Sequence, residues 1–193
     1  MASVDSNKLP KRGNLLVATP RMTDPNFRRS VLLLIDHGET GSLGLIINRP
    51  TPISVIEVMP ELSRVIVDPQ VVFQGGPVQP EVVLAIGSID LHQLGEIGES
   101  INLITDSIAS YSLASDIQEL SDRVSQLRIF SGYAGWHPGQ LIDEIRAGAW
   151  FVVEGNDTDV LSENPQGMWS HVLRRQSSDL AMLANYPEEL YLN

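Results

Sequence analysis

Residues 30–36 read Ser-Val-Leu-Leu-Leu-Ile-Asp, five consecutive branched aliphatic side chains between two polar ends. A strand with one wet face alternates apolar and polar positions, and this run has neither parity polar, so it requires cover on both faces. The chain must therefore stack layers around a central strand. Other strand-sized apolar runs are Leu15-Leu16-Val17-Ala18, residues 42–48, Val71-Val72-Phe73, Val82-Val83-Leu84-Ala85-Ile86, residues 101–105, residues 127–130 and residues 150–153. Glycine and proline punctuate them, at Thr19-Pro20, His37-Gly38-Glu39-Thr40-Gly41, Arg49-Pro50 and Gly75-Gly76-Pro77. Residues 30–36 and 42–48 form an antiparallel hairpin about the Gly38–Gly41 turn.

Helical spacing interrupts this β pattern. Residues 53–62 hold a short helix broken at Pro60. Asp106 or Ser107 is positioned to cap a helix with Leu113, Ile117, Leu120 and Val124 on one face. Pro138 suits the first turn of a helix with stripe Leu141, Ile142 and Ile145, terminated by Gly148. Asn164 and Pro165 open another with Met168, Trp169, Val172 and Leu173 inward, and a last one covers residues 179–184. Strands and helices mix without strict βαβ alternation, which favours α+β over a doubly wound sheet. At 193 residues the chain reads as a single domain, residues 1–193, with residues 1–12 a flexible tail.

Composition removes several function classes. There is no cysteine, hence no disulfide, thiolate nucleophile or Cys-ligated metal. The N-terminus lacks an apolar h-region, and no apolar run spans a bilayer, so a cytoplasmic protein without membrane contact is expected. Net charge is −11, which repels polyanions and disfavours nucleic acid as a partner. The charge is uneven: residues 1–49 hold seven basic groups against four acids, and the remainder six against 20. That asymmetry invites anion binding by the first quarter, or pairing of that quarter with the rest of the fold or a second subunit.

Motifs for known chemistry are sparse. Gly38, Gly41 and Gly44 have the spacing of a nucleotide loop but precede a β-branched run rather than a helix, so they read as a turn. Gln74-Gly75-Gly76-Pro77 has no Gly-Lys-Ser/Thr, although its glycines expose backbone donors. His37, His92, His137 and His171 lack metal-ligand spacing, and Asn156-Asp157-Thr158-Asp159 with Glu163 misses the glycine and final acid of a calcium loop. No metal and no cofactor is expected. Gln140 and Glu144 share a helix face, and Arg21, Phe27, Arg28 and Arg29 share a proline-rich loop in a chain with 11 Arg and two Lys.

Four phrases together resemble one family. They are Leu16-Val17-Ala18-Thr19-Pro20 with Asp24-Pro25-x-Phe27 and Ser30-Val31; Gly44-Leu45-Ile46-Ile47-Asn48-Arg49-Pro50; Gly75-Gly76-Pro77-Val78; and Gly132-x-Ala134-Gly135-Trp136-x-x-Gly139-Gln140-Leu141-x-x-Glu144-Ile145. In this order they are similar to the AlgH/YqgE family of small bacterial proteins, over residues 13–175. The resemblance implies an α+β domain whose mixed, largely antiparallel, bifurcated sheet folds into a pseudo-barrel with flanking helices. It implies no established activity. The family's label of transcriptional regulator sits poorly with a charge of −11 and no clear helix-turn-helix. Asp36-His37 stands where the family commonly carries an acid and a histidine.

The expected site gathers Thr19, Arg21, Phe27, Arg29, Asn48, Arg49, Gly75, Gly76, Trp136, Gln140 and Glu144 into one Arg-lined anion cleft. The expected function is non-catalytic binding of a small anionic ligand or a protein partner, by a monomer or weak homodimer. A hydrolytic enzyme using His37 or Glu144 as base ranks second, and a DNA-binding regulator last.

Overall fold

In the computed structural model, the described residues are 9–89, 101–111, 113 and 117–187. Ten strands are β1 Asn14–Ala18, β2 Val31–Gly38, β3 Gly41–Ile46, β4 Pro50–Ser54, β5 Val71–Gln74, β6 Val78–Ser88, β7 Ile101–Leu103, β8 Ile108–Tyr111, β9 Leu127–Trp136 and β10 Trp150–Glu154. Six helices accompany them: α1 Val55–Val58, α2 Ile117–Arg123, α3 Gln140–Arg146, α4 Asp157–Val160, α5 Met168–Arg174 and α6 Ser178–Leu183. A 3-10 turn, Pro60–Leu62, follows α1, where the sequence places a break.

The sheet runs β10-β1-β2-β3-β9-β6-β8-β7, with β4 and β5 branching from it. Its pairings are antiparallel except that β5 lies parallel to β9. The fork sits on β9. One end of β9 pairs with β3 (Gly44 opposite Ala134), and its middle pairs with β5 (Phe73 opposite Phe130). Where β3 and β5 part, Gly75 donates its N–H to Ser131 O (2.8 Å) and accepts from Ile46 N–H (2.7 Å). Gly75 and Gly76 are required there, because a Cβ on either would lie well inside 3.0 Å of β9 backbone at Gly132 or Tyr133. Gly132 itself has φ +68, which bends the strand at this point.

The curled sheet forms a half-barrel with three apolar clusters. Val31 and Leu33 of β2 face the interior, with Leu15, Val17, Phe73, Phe130 and the inward face of α5. Leu32 and Leu34 face outward beneath α3, with Leu16, Ala18, Trp136 and Trp150. Both faces of β2 are thus dry, as its unbroken run demands. Trp169 of α5 donates Nε1–H to Ala18 O (2.8 Å), pinning that helix into the half-barrel. Between β7/β8 and β10, Arg12 reaches Leu103 O (2.9 Å) and Asp36 (3.1 Å), and Asp157 accepts from Thr105 Oγ1 (3.0 Å). Arg12 is therefore docked, while residues 1–8 of the expected tail lie outside the described residues.

One sequence expectation needs correction. No helix starts at Asp106 or Ser107. Thr105 Oγ1 accepts the N–H groups of Ser107 and Ile108 to make a turn, and residues 108–111 form β8 against β6. The stripe itself holds, since Leu113, Ile117, Leu120 and Val124 all pack into one cluster under α2. Strand pairing has overridden the local helical pattern. The strand expected over residues 127–130 runs on through the glycine-rich phrase 131–136, which completes β9.

Inside the half-barrel lies an arginine that the sequence reading passed over. Arg128 is 1% exposed, and its guanidinium stacks 4.4 Å over the Phe73 ring. It donates to Val160 O (3.1 Å), Ser162 O (2.9 Å) and Asp68 O (2.7 Å), tying the C-terminal end of α4 to the sheet. Burial pushes its pKa down to about 10, so the group remains charged at neutral pH.

Gly76→Ala should lower unfolding stability by about 3 kcal/mol or more, because β9 backbone cannot yield. Gly38→Ala, with open space around its Cβ, should change it by less than ~0.5 kcal/mol. Chemical denaturation checks both. The buried Tyr111 phenol donates to Ser88 O (2.8 Å), and burial pushes its pKa up to about 12. Its contribution to stability is complete below pH 10, the ordinary value of a phenol, and fades as pH climbs through about 12. Denaturation midpoints of wild type and Tyr111→Phe should converge over that interval.

Candidate functional site

Glu144 organises the first half of the site. It lies on α3, which starts after Gly139, at φ +79, turns the chain. Its Oε2 accepts indole N–H from Trp136 (2.9 Å) and Trp150 (2.8 Å), and its Oε1 accepts from Gln140 Nε2 (2.9 Å). Gln140 Oε1 in turn accepts His137 N–H (3.0 Å), which fixes the amide's orientation. The two indoles meet edge to face at 6.1 Å, and Phe27 continues the stack onto Trp150 at 5.6 Å. Three donors answer one carboxylate without a cation, so Glu144 is a structural anchor.

The second half is the loop of residues 19–30, held at several points along its length. Thr19 donates Oγ1–H to Gly148 O (2.8 Å), beside α3. Asn48 accepts Val31 N–H (2.9 Å) and donates to Arg29 O (2.9 Å). Arg49 donates to Pro25 O (3.1 Å) and Arg28 O (3.0 Å). Burial pushes the Arg49 pKa down, opposed by the nearby charge of Asp24. Arg29, at φ +54, stacks 4.2 Å over Trp169 and donates to Tyr186 O. Arg21 and Arg28 stay exposed on the loop's outer side.

These parts connect through the sheet. Gln74 donates its backbone N–H to Arg49 O (2.9 Å), and the next residue is Gly75 at the fork. Thr19, Phe27, Trp136, Gln140 and Glu144 therefore gather around α3. Arg29, Asn48 and Arg49 gather at the loop base, and Gly75 and Gly76 fill the fork between β3 and β9. The arrangement is an interlocked network whose polar atoms face one another.

His37 stands on the β2–β3 hairpin. Ser42 lies opposite it in register, and Trp136 lies beyond Ser42 on β9. His37 Nδ1 meets Ser42 Oγ at 2.7 Å. Asp36 bonds to the His37 backbone N–H (3.0 Å) and to Arg12, so adjacency in sequence makes no acid–histidine dyad here.

Sequence reasoning missed Trp150 as a partner of Glu144, since residues so close in the chain gave no sign of meeting across a helix turn. It also missed a groove of about 730 Å³ between the end of β6, the 105–108 turn, α4 and the start of α5. The Asn156–Asp159 segment, whose acids echo a calcium loop without completing it, is the capped start of α4. Asn156 N–H reaches Asp159 Oδ2 (2.8 Å), and Arg175 pairs with the buried Asp159 carboxylate, Nη1 to Oδ1 at 2.5 Å. Among the described residues no three His, Asp or Glu converge as a metal-binding set. His92 lies outside the described residues.

Fold and site together define a class: α+β half-barrels with a forked sheet, whose glycine, Asn-Arg and Trp-x-x-Gly-Gln phrases lock one loop onto one helix. The chain belongs to the AlgH-like family (DUF179), whose model matches residues 15–181. It is similar to a UPF0301 protein of Streptomyces coelicolor, 46% identical over 185 residues and covering 94% of each chain. A UPF0301 protein of Thermobifida fusca is 40% identical, covering 97% of this chain and 98% of the other. The crystal structure of a Corynebacterium diphtheriae protein superposes with a TM-score of 0.85 at 30% identity, covering 93% of this chain and 94% of that one. The solution structure of the Pseudomonas aeruginosa AlgH protein does so at 0.67 and 26%, covering 93% and 98%.

Glu144→Leu leaves two indole N–H groups without an acceptor and should cost about 3 kcal/mol. Glu144→Gln keeps one oxygen and should cost less. Denaturation midpoints and the indole N–H resonances of Trp136 and Trp150 read both effects; unmoved resonances would contradict the three-donor arrangement.

Proposed function

We propose that this protein is a non-catalytic binding protein that presents the loop of residues 19–30 to an acidic segment of a partner protein. The observation that carries the reading is the grip on the loop. Arg49 holds the carbonyls of Pro25 and Arg28, and Asn48 holds that of Arg29. A loop fixed in advance loses little entropy on docking. The side chains it leaves exposed include Arg21 and Arg28, in a chain whose remaining surface is acidic. Guanidinium groups match carboxylates in bidentate geometry, and a cationic patch on an anionic body steers an acidic segment to one face. A protein segment is favoured over a small anion because this surface is open, while the 730 Å³ groove lies among acids elsewhere. A regulatory role would then act through protein contact, since a charge of −11 opposes DNA.

One observation favours a second reading, hydrolysis: the 2.7 Å approach of Ser42 Oγ to His37 Nδ1. It ranks lower because Asp36 bonds to Arg12 and the His37 backbone.

A short Asp/Glu-rich peptide, titrated while amide resonances are followed, should bind saturably at residues 19–30. Arg21→Ala with Arg28→Ala should weaken it roughly tenfold, about 1.4 kcal/mol, and added salt should weaken it further. Equal binding by the double variant, or by an Asn/Gln version of the peptide, would refute the reading. Arg-dependent binding of inorganic phosphate without peptide binding would transfer the site to small anions.

A further inference from the structure

The groove beside α4 differs from the loop network in one respect that matters for ligands: part of its polar lining is uncommitted. At about 730 Å³ it falls in the size range of small-molecule sites, roughly 300–1,000 Å³. Its wall is rigid. Arg175 pairs with Asp159, and Arg128 holds the carbonyls of Val160 and Ser162 from the barrel side. Ile108, Leu161 and Met168 supply an apolar stretch of lining. The side chains of Glu163 and His171 line the groove and make no hydrogen bond or ion pair among the described residues. Among the described residues the Asp157 carboxylate meets two neutral hydroxyls, of Thr105 and Ser107, and no cation.

The lining also sets the sign and shape of an occupant. Among the described residues it contains no Lys or Arg, and its acids would repel phosphates and carboxylates. Among the described residues it contains no Phe, Tyr or Trp, the usual platform for a sugar face. A bare metal ion lacks a converging ligand set among the described residues. What fits is a cationic head against Asp157 and Glu163, with a methylene body along Ile108, Leu161 and Met168.

We propose that this groove binds a small aliphatic amine, such as a diamine, through Asp157 and Glu163. The site is separate from the loop of residues 19–30 and does not depend on the reading given to it.

Calorimetric titration of the full chain with cadaverine at physiological salt should give one saturable site. Asp157→Asn with Glu163→Gln should weaken it at least tenfold, while Glu57→Gln, an acid outside the groove, should leave it unchanged. Ammonium and magnesium ions should fail to reproduce the binding. Glu163→Gln alone, at an exposed position, still tests the site if the double variant does not fold. Arg21→Ala with Arg28→Ala should have no effect on it. No saturable heat, equal loss with Glu57→Gln, or equal binding of ammonium would overturn the proposal, the last two by reducing it to counter-ion attraction.

Discussion

The backbone N–H and C=O of Gly75 carry hydrogen bonds to two strands that the sheet has separated, donating to Ser131 of β9 and accepting from Ile46 of β3. A strand edge has one set of donors and acceptors, so β9 cannot serve β3 and β5 over the same residues. The sheet divides where a chain without side chains slides between them, and Gly76 continues that approach against Tyr133. Much of the site hangs from this division. Gln74 pairs with Arg49, Arg49 and its neighbour Asn48 grip the loop, and the loop carries Phe27 onto Trp150 and so toward Glu144.

Charged side chains within this framework are answered mostly by dipoles. Glu144 takes three neutral donors, Arg49 two carbonyls and Arg128 three carbonyls with an aromatic face. Asp159 with Arg175 is the buried carboxylate met by a full opposite charge. A charge held by several fixed dipoles specifies geometry more sharply than a pair of flexible ions, because each bond has its own direction. Such groups are costly to leave half-satisfied. That is why the phrases that carry the resemblance read here as structural constraints, and why groups exposed to a ligand, Arg21 on the loop and Glu163 in the groove, lie at their margins.

Much of the element order was legible from local pattern. The double-sided burial of β2 followed from residues 31–35, the hairpin from the Gly38–Gly41 turn, and α3 from the Leu141/Ile145 stripe beyond Pro138. Residues 108–111 were not legible, because Ile-Ala-Ser-Tyr suits either state locally and only β6 decided between them. The apolar run 127–130 marked only the first part of β9, and close backbone approach at the fork explains the glycines that follow as parts of the same strand.

The candidate site divides in the same way. Residue types along the sequence determined that Gln140 and Glu144 share a helix face, that arginines crowd one loop, and that the first quarter is the basic one. They determined no partner for any of these. Whether a guanidinium meets solvent or a carbonyl depends on residues well separated in the chain, as Asn48 and Arg49 are from Pro25 and Arg29, and whether Glu144 is a base or an anchor depends on how the turns around α3 bring Trp136 and Trp150 onto it. Local sequence fixes a side chain's chemistry and its periodicity. Only chain packing fixes which dipoles surround it, and those dipoles decide what the group is free to do.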